Sequence, residues 1–209
     1  MDADAIFAAI TAQRLALCDV LDELDAPRWE TASLCEGWRV REVVGHLVSL
    51  QAVPTWKFLL GVFGPSGFDR RADRFAREFG GRPPAELVGW YREHATSRKA
   101  PPVIGPMGPL ADVVVHSLDI ARPLGRDIAC APDTLRVVLG ALCSGLPGFT
   151  SKRLGRDLRF EAPDLEWTHG SGAVVRASSD DLLLALTARS GAVELLEGDG
   201  AAEFRRRRG

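Results

Sequence analysis

The segment LADVVVHSLDIARPLG, residues 110–125, constrains the fold more than any other stretch. Its apolar residues run nearly all the way round a helix, which places that helix inside a bundle. Yet it carries Asp112, His116 and Asp119. Asp112 and His116 are one turn apart and Asp119 lies three residues further on, so the three share a face. A polar stripe on a buried helix needs partners. An isolated carboxylate in a low-dielectric core pairs, takes up a proton or binds a metal.

Other helices supply the bundle. Ile6, Ile10, Leu17, Val20, Leu21 and Leu24 recur at helical spacing over Asp4–Leu24. A loop over Arg28–Trp38 leads to a helix over Val40–Gln51, expected to bend on past Pro54 towards Leu60 before a glycine-rich break at Gly61–Gly67. Helices are expected over Phe68–Phe79 and Ala85–Arg98, the second opened by Pro83-Pro84. Ala100–Pro109 reads as a stiff loop, followed by helices over Leu110–Arg122 and Pro132–Cys143. The composition changes after Lys152. Short strands are expected around Pro163, a turn at Thr168–Gly172, and a strand over Ala173–Ala177 that forms a hairpin. Ser178 or Ser179 caps a helix over Asp180–Thr187, and strands are expected at Val193–Leu196 and Ala202–Phe204. The fold class is α+β, with an all-helical part over residues 1–150 and a small α+β domain over 151–209.

Composition narrows the function classes. The 26 basic and 28 acidic residues leave a net charge of -2, which is no footprint for nucleic acid. No apolar run reaches the ~18 residues of a membrane span. The opening MDADAIFAAI has acids where a signal peptide has bases, so a cytoplasmic chain is expected. The cysteines Cys18, Cys35, Cys130 and Cys143 form no CxxC pair and read as free thiols. Monomer and homodimer both fit.

His46 is the natural partner for the stripe, since it lies on the inward side of another helix. Bundle cores build metal sites from facing helices. Two imidazoles and a carboxylate give three ligands and leave one position open, the pattern of a catalytic zinc site, although iron, nickel and manganese also suit it. A hydrogen-bonded histidine network without metal is the other reading. Asp119 either accepts the second ring N–H of a metal-bound histidine or pairs with Arg122. Cys35 reads as a buried structural thiol, or as part of a pocket mouth, and Trp38 as a core anchor. His94 and His169 read as surface or turn residues. Arg205–Arg208 reads as a solvated tail, a guard on a strand edge, or a source of one arginine, Arg205, that clamps a carboxylate of substrate or thiol.

The stretch SLCEGWRVREVVGHL (Ser33–Leu47), followed by VVVHSLDIARPLG (Val113–Gly125), resembles the mycothiol-dependent maleylpyruvate isomerase family, part of the larger DinB-like group of metal-binding four-helix bundles, which implies such a bundle over residues 1–150. The tail Asp180–Gly200 resembles that family's sterol-carrier-like C-terminal domain. The resemblance implies metal ligands at His46, Asp112 and His116, a divalent ion such as zinc, and mycothiol as co-substrate. There are two departures. Asp112 stands where the family has Glu, which shortens the reach by roughly 1.5 Å against a tolerance of ~0.2 Å in metal–ligand distance. Arg39 stands where the family tends to have a capping Thr, at about 1 kcal/mol of capping. The implied activity is thiol addition to a small electrophile, as S-transfer or cis–trans isomerisation. A non-enzymatic module for a small ligand or a protein, with a structural or vestigial metal, is the alternative. A hydrolase with Asp119 as base is the third.

Overall fold

The computed structural model describes residues 1–54, 56–57, 67–102 and 104–208. The expected bend towards Leu60 and the glycine-rich break fall largely outside these.

Helix α1 (Ala3–Asp22) begins where the Asp2 carboxylate accepts the Ala5 N–H at 2.8 Å. The short α2 (Ala26–Trp29) leads into α3 (Val40–Ala52), which stops two residues before Pro54. Then come α4 (Gly67–Gly80), α5 (Pro84–Glu93), α6 (Met107–Ala121) and α7 (Pro132–Cys143). Helix α1 packs on α5 and α6, and α3 packs on the same two, which closes a four-helix bundle. Two boundaries differ from expectation. Helix α5 ends at Glu93 rather than Arg98, and the His94 ring sits 2.9 Å from the Trp90 carbonyl at that end. Helix α6 begins three residues earlier than expected, because Pro109 falls in its first turn, where no amide donor is needed.

Helix α4 lies flush along α3. A Cβ on Gly45 would stand 2.3 Å from the Ala76 carbonyl oxygen and 2.4 Å from the Gly80 nitrogen, so only glycine permits this approach.

The C-terminal part holds β1 (Leu158–Ala162), β2 (Trp167–Gly170), β3 (Ala173–Arg176), α8 (Ser179–Leu186), α9 (Ser190–Val193) and α10 (Ala201–Arg208). The sheet order is β2-β1-β3. The expected hairpin does not involve Ala173–Ala177: β1 and β2 pair antiparallel around the 3-10 turn at Pro163–Leu165, while β3 lies parallel to β1 on its other side. The expected turn at Thr168–Gly172 is therefore mostly strand. Only Gly170–Gly172 turns, crossing so close to β1 that a Cβ on Gly172 (φ 120°) would meet the Asp157 carbonyl at 2.2 Å. The strands expected at Val193–Leu196 and Ala202–Phe204 are replaced by α9 and α10, apart from one bridge between Glu197 and Arg176. Glu203 explains α10: it pairs with Arg206 and Arg207 one turn on, a pattern that supports helix and not strand.

One hydrophobic cluster runs from Ile6 and Ile10 through α6 and α7 to Phe160, Leu183 and Phe204. A second fills the other end of the bundle with Leu17, Val44, Leu47, Tyr91 and Ile120. The polar stripe belongs to α6, which contributes to both.

Candidate metal centre

Helix α3 delivers His46, 6% exposed, against α6. Its start is held in an unexpected way. The Glu42 carboxylate accepts the Arg39 N–H at 2.8 Å and is gripped by the Arg39 side chain, so the missing capping Thr is replaced by an ion pair.

The Oδ1 atom of Asp112 lies 3.5 Å from His46 Nε2 and 3.4 Å from His116 Nε2. These separations are at the long limit for hydrogen bonds. They match the ~3.3–3.6 Å edges of a tetrahedron whose ligands stand 2.0–2.2 Å from one ion. The shorter Asp112 side chain thus reaches both imidazoles. Burial alone would raise the Asp112 carboxyl, but the His116 and His46 rings outweigh it and hold the carboxyl well below its usual range. Burial works against a charged His116, and Asp112 more than offsets it, with Asp119 and Cys35 assisting, so this imidazole sits well above its ordinary value.

The other face of His116 is equally structured. His116 Nδ1 donates to Asp119 Oδ2 at 2.8 Å. Asp119 is fully buried, and its partner is not Arg122, which pairs with Asp181 at 2.5 Å. The partner is Arg189, whose Nε donates to Asp119 Oδ1 at 2.8 Å and whose Nη2 donates to Oδ2. Burial would raise Asp119, yet His116 and Arg189 bring it down to about 2.

Cys35 is half-buried and sits at the centre of this arrangement. Its thiol donates to Asp119 Oδ2 at 3.0 Å and accepts from Arg189 Nη2 at 3.2 Å. His116 Nδ1 is 3.6 Å away. A β-turn places it, with the Trp38 N–H on the Cys35 carbonyl at 3.0 Å and Gly37 at φ 77°, a conformation suited to glycine. The loop is tied to α6 by the Leu34 N–H on the Asp119 carbonyl at 3.1 Å. Trp38 forms a wall of the site rather than a core anchor: its ring lies 5.2 Å from that of His46, and its Nε1 donates to Asp73 at 2.8 Å.

Two sets of donors could hold an ion: His46 with Asp112 and His116, and Cys35 with His116 and Asp119. The second already contains a cation, the Arg189 guanidinium, and both Asp119 oxygens are spent on it. The first fits a divalent ion better.

Arg189 had no signal in the sequence. It follows α8 through Ala188, a non-glycine residue at φ 73° that turns the chain back towards α6. Arg205 is away from the centre. Its guanidinium donates to the carbonyls of Val193, Glu194 and Leu196, closing the α9 segment, because α10 places it there. His94 stacks on Trp90 and His169 on Trp167, so neither joins the site.

Residues 10–55 match the family model for the mycothiol maleylpyruvate isomerase N-terminal domain. No curated protein matches the chain. Two solved structures, titled as the mycothiol-dependent maleylpyruvate isomerase and a mutant of it, are similar to the whole chain, with TM-scores of 0.60 and 0.62 at 12% and 11% identity. Each comparison covers 96% of this chain and 94% of the other. The α+β fold is shared with these isomerases. The matched segment carries His46 and Cys35, while Asp112, His116, Asp119 and Arg189 lie beyond it. No helix of the described residues is long and apolar enough to cross a membrane.

Proposed function

We propose that the chain is a metal-dependent enzyme that directs a low-molecular-weight thiol, mycothiol by resemblance, onto a small electrophile. The observation that carries this reading is the position of Asp112 Oδ1 at 3.4 and 3.5 Å from two imidazole Nε2 atoms. A divalent ion bound there would favour the thiolate form of an incoming thiol at neutral pH.

The residues of the chain have separable roles. His46, Asp112 and His116 would hold the ion. Arg189 keeps Asp119 ionised inside the protein. Asp119 then holds the proton on His116 Nδ1, so that Nε2 presents its lone pair to the ion. Trp38 covers the histidines and limits water. In isomerisation, the sulfur adds to one carbon of a conjugated cis double bond, the resulting single bond rotates, and loss of the same sulfur restores the double bond as trans. In S-transfer the adduct is released. S-transfer is the broader assignment, since one site supports both outcomes.

The test has two stages. Untagged protein is analysed for metal, with His46→Ala as control. About one ion per chain, lost in the control, is the expected result. Mycothiol consumption is then followed with an electrophile panel that includes maleylpyruvate. Metal without any thiol turnover would point to the binding module instead. Absence of metal after zinc addition would reduce the stripe to a hydrogen-bond network.

A further inference from the structure

A second cavity lies apart from the metal centre, between residues 151–156 and α10. It encloses about 530 Å³ and is lined by Ser151, Leu154, Glu203 and five arginines: Arg153, Arg156, Arg206, Arg207 and Arg208. That volume falls within the range of small-molecule sites.

The arginines divide into two kinds. Arg207 is structural: its Nη1 donates to the carbonyls of Arg153 and Leu154, each at 3.3 Å, and to that of Arg156, which fastens α10 to the loop. Arg206 and Arg207 also take up both oxygens of Glu203, the only acid in the lining. The guanidiniums of Arg153, Arg156 and Arg208 have no hydrogen-bond or ion-pair partner among the described residues, and the Nε of Arg208 is buried with nothing to donate to. Five guanidiniums face one carboxylate in a chain whose net charge is -2. Unpaired guanidiniums at the wall of a cavity present forked donors that match phosphate and carboxylate oxygens.

We propose that this cavity binds a compact, multiply charged oxyanion, a phosphate ester or a polycarboxylate, through Arg153, Arg156 and Arg208. The ligand supplies the counter-charge that the lining lacks. Burial, with the charge of Arg189 assisting, holds the Arg208 guanidinium below its usual value, so an arriving anion relieves a strained charge.

Calorimetric titration of the chain at low salt tests this, with inorganic phosphate, pyrophosphate and citrate as separate probes. One saturable site of sub-millimolar affinity for pyrophosphate or citrate is expected, and the preferred probe identifies the source of the oxyanion. Arg153→Gln and Arg208→Gln should each weaken it about tenfold or more, while Arg136→Gln, whose side chain is held by Asp133 and the Leu165 carbonyl outside the lining, leaves it unchanged. Circular dichroism confirms that the variants fold, since neither replaced side chain supports the backbone as Arg207 does. The proposal fails if no probe saturates, if both variants bind as the wild type does, or if only a long polyanion such as heparin binds.

Discussion

Arg189 reaches both carboxylate oxygens of Asp119, a residue 70 positions earlier on the central helix of the bundle. Asp119 is fully buried and Arg189 largely so, and the pair joins the C-terminal part of the chain to the candidate metal centre. Removing one partner leaves the other charge without compensation. Arg189→Ala is therefore expected to cost about 3–5 kcal/mol of stability, measured by urea denaturation, whereas exposed Arg92→Ala costs under about 1 kcal/mol. Equal losses in the two variants would show that the buried pair carries no special weight.

The two donor sets make opposite predictions for the thiol. Cys35→Ala should retain about one ion per chain, because the sulfur shares its surroundings with a guanidinium. Loss of the ion in this variant would move the site to Cys35, His116 and Asp119.

Ion uptake should depend on pH. Asp112 holds His116 well above the ordinary histidine value, so an ion must displace a proton from this ring. Affinity is expected to rise roughly tenfold per pH unit below that elevated value and to level off above it. Calorimetry in buffers of different ionisation enthalpy should find about one proton released per ion. A pH-independent affinity would overturn the assignment of His116 as a ligand.

Asp119 gives the metal-free protein an acid limit. Its folded value of about 2 lies below the ordinary 3.8, so the folded state binds this proton less tightly than the unfolded state does. The contribution, on the order of 2 kcal/mol, is fully present above the ordinary value and is lost as pH falls from about 4 to 2. In Asp119→Asn that part of the acid slope should vanish in denaturation curves recorded across this range.

Gly45→Ala should be disproportionately harmful for a single methyl group. The added carbon meets backbone of α4 and not a flexible side chain, so α3 and α4 must separate. A loss of about 1–3 kcal/mol is expected from thermal unfolding. Gly89→Ala, which meets open space on another helix, should be neutral or stabilising.

Much of the site was legible because helical spacing is local. Asp112, His116 and Asp119 share a face through one turn of backbone, and the burial of His46 follows from the apolar residues around it. Arg189 was not legible, since its contact with Asp119 depends on the docking of α8 and on the left-handed turn at Ala188. The end of the chain misled for a different reason. Val193–Leu196 and Ala202–Phe204 are too short to show a helical period, and the strand expected over Ala202–Phe204 hides the i,i+3 and i,i+4 pairing of Glu203 with Arg206 and Arg207. Arg205 was sought as a substrate clamp, and three backbone carbonyls hold it instead.

The loop contact between Leu34 and the Asp119 carbonyl, together with the Arg189 grip on the same residue, also sets an order of events during synthesis. A growing chain exposes both histidines and Asp112 well before residue 189 leaves the ribosome. An ion caught at that stage would meet a His116 ring whose orientation nothing yet fixes. The candidate centre is thus completed by a residue made after all three of its proposed ligands, so retention of an ion would report that the C-terminal part has docked.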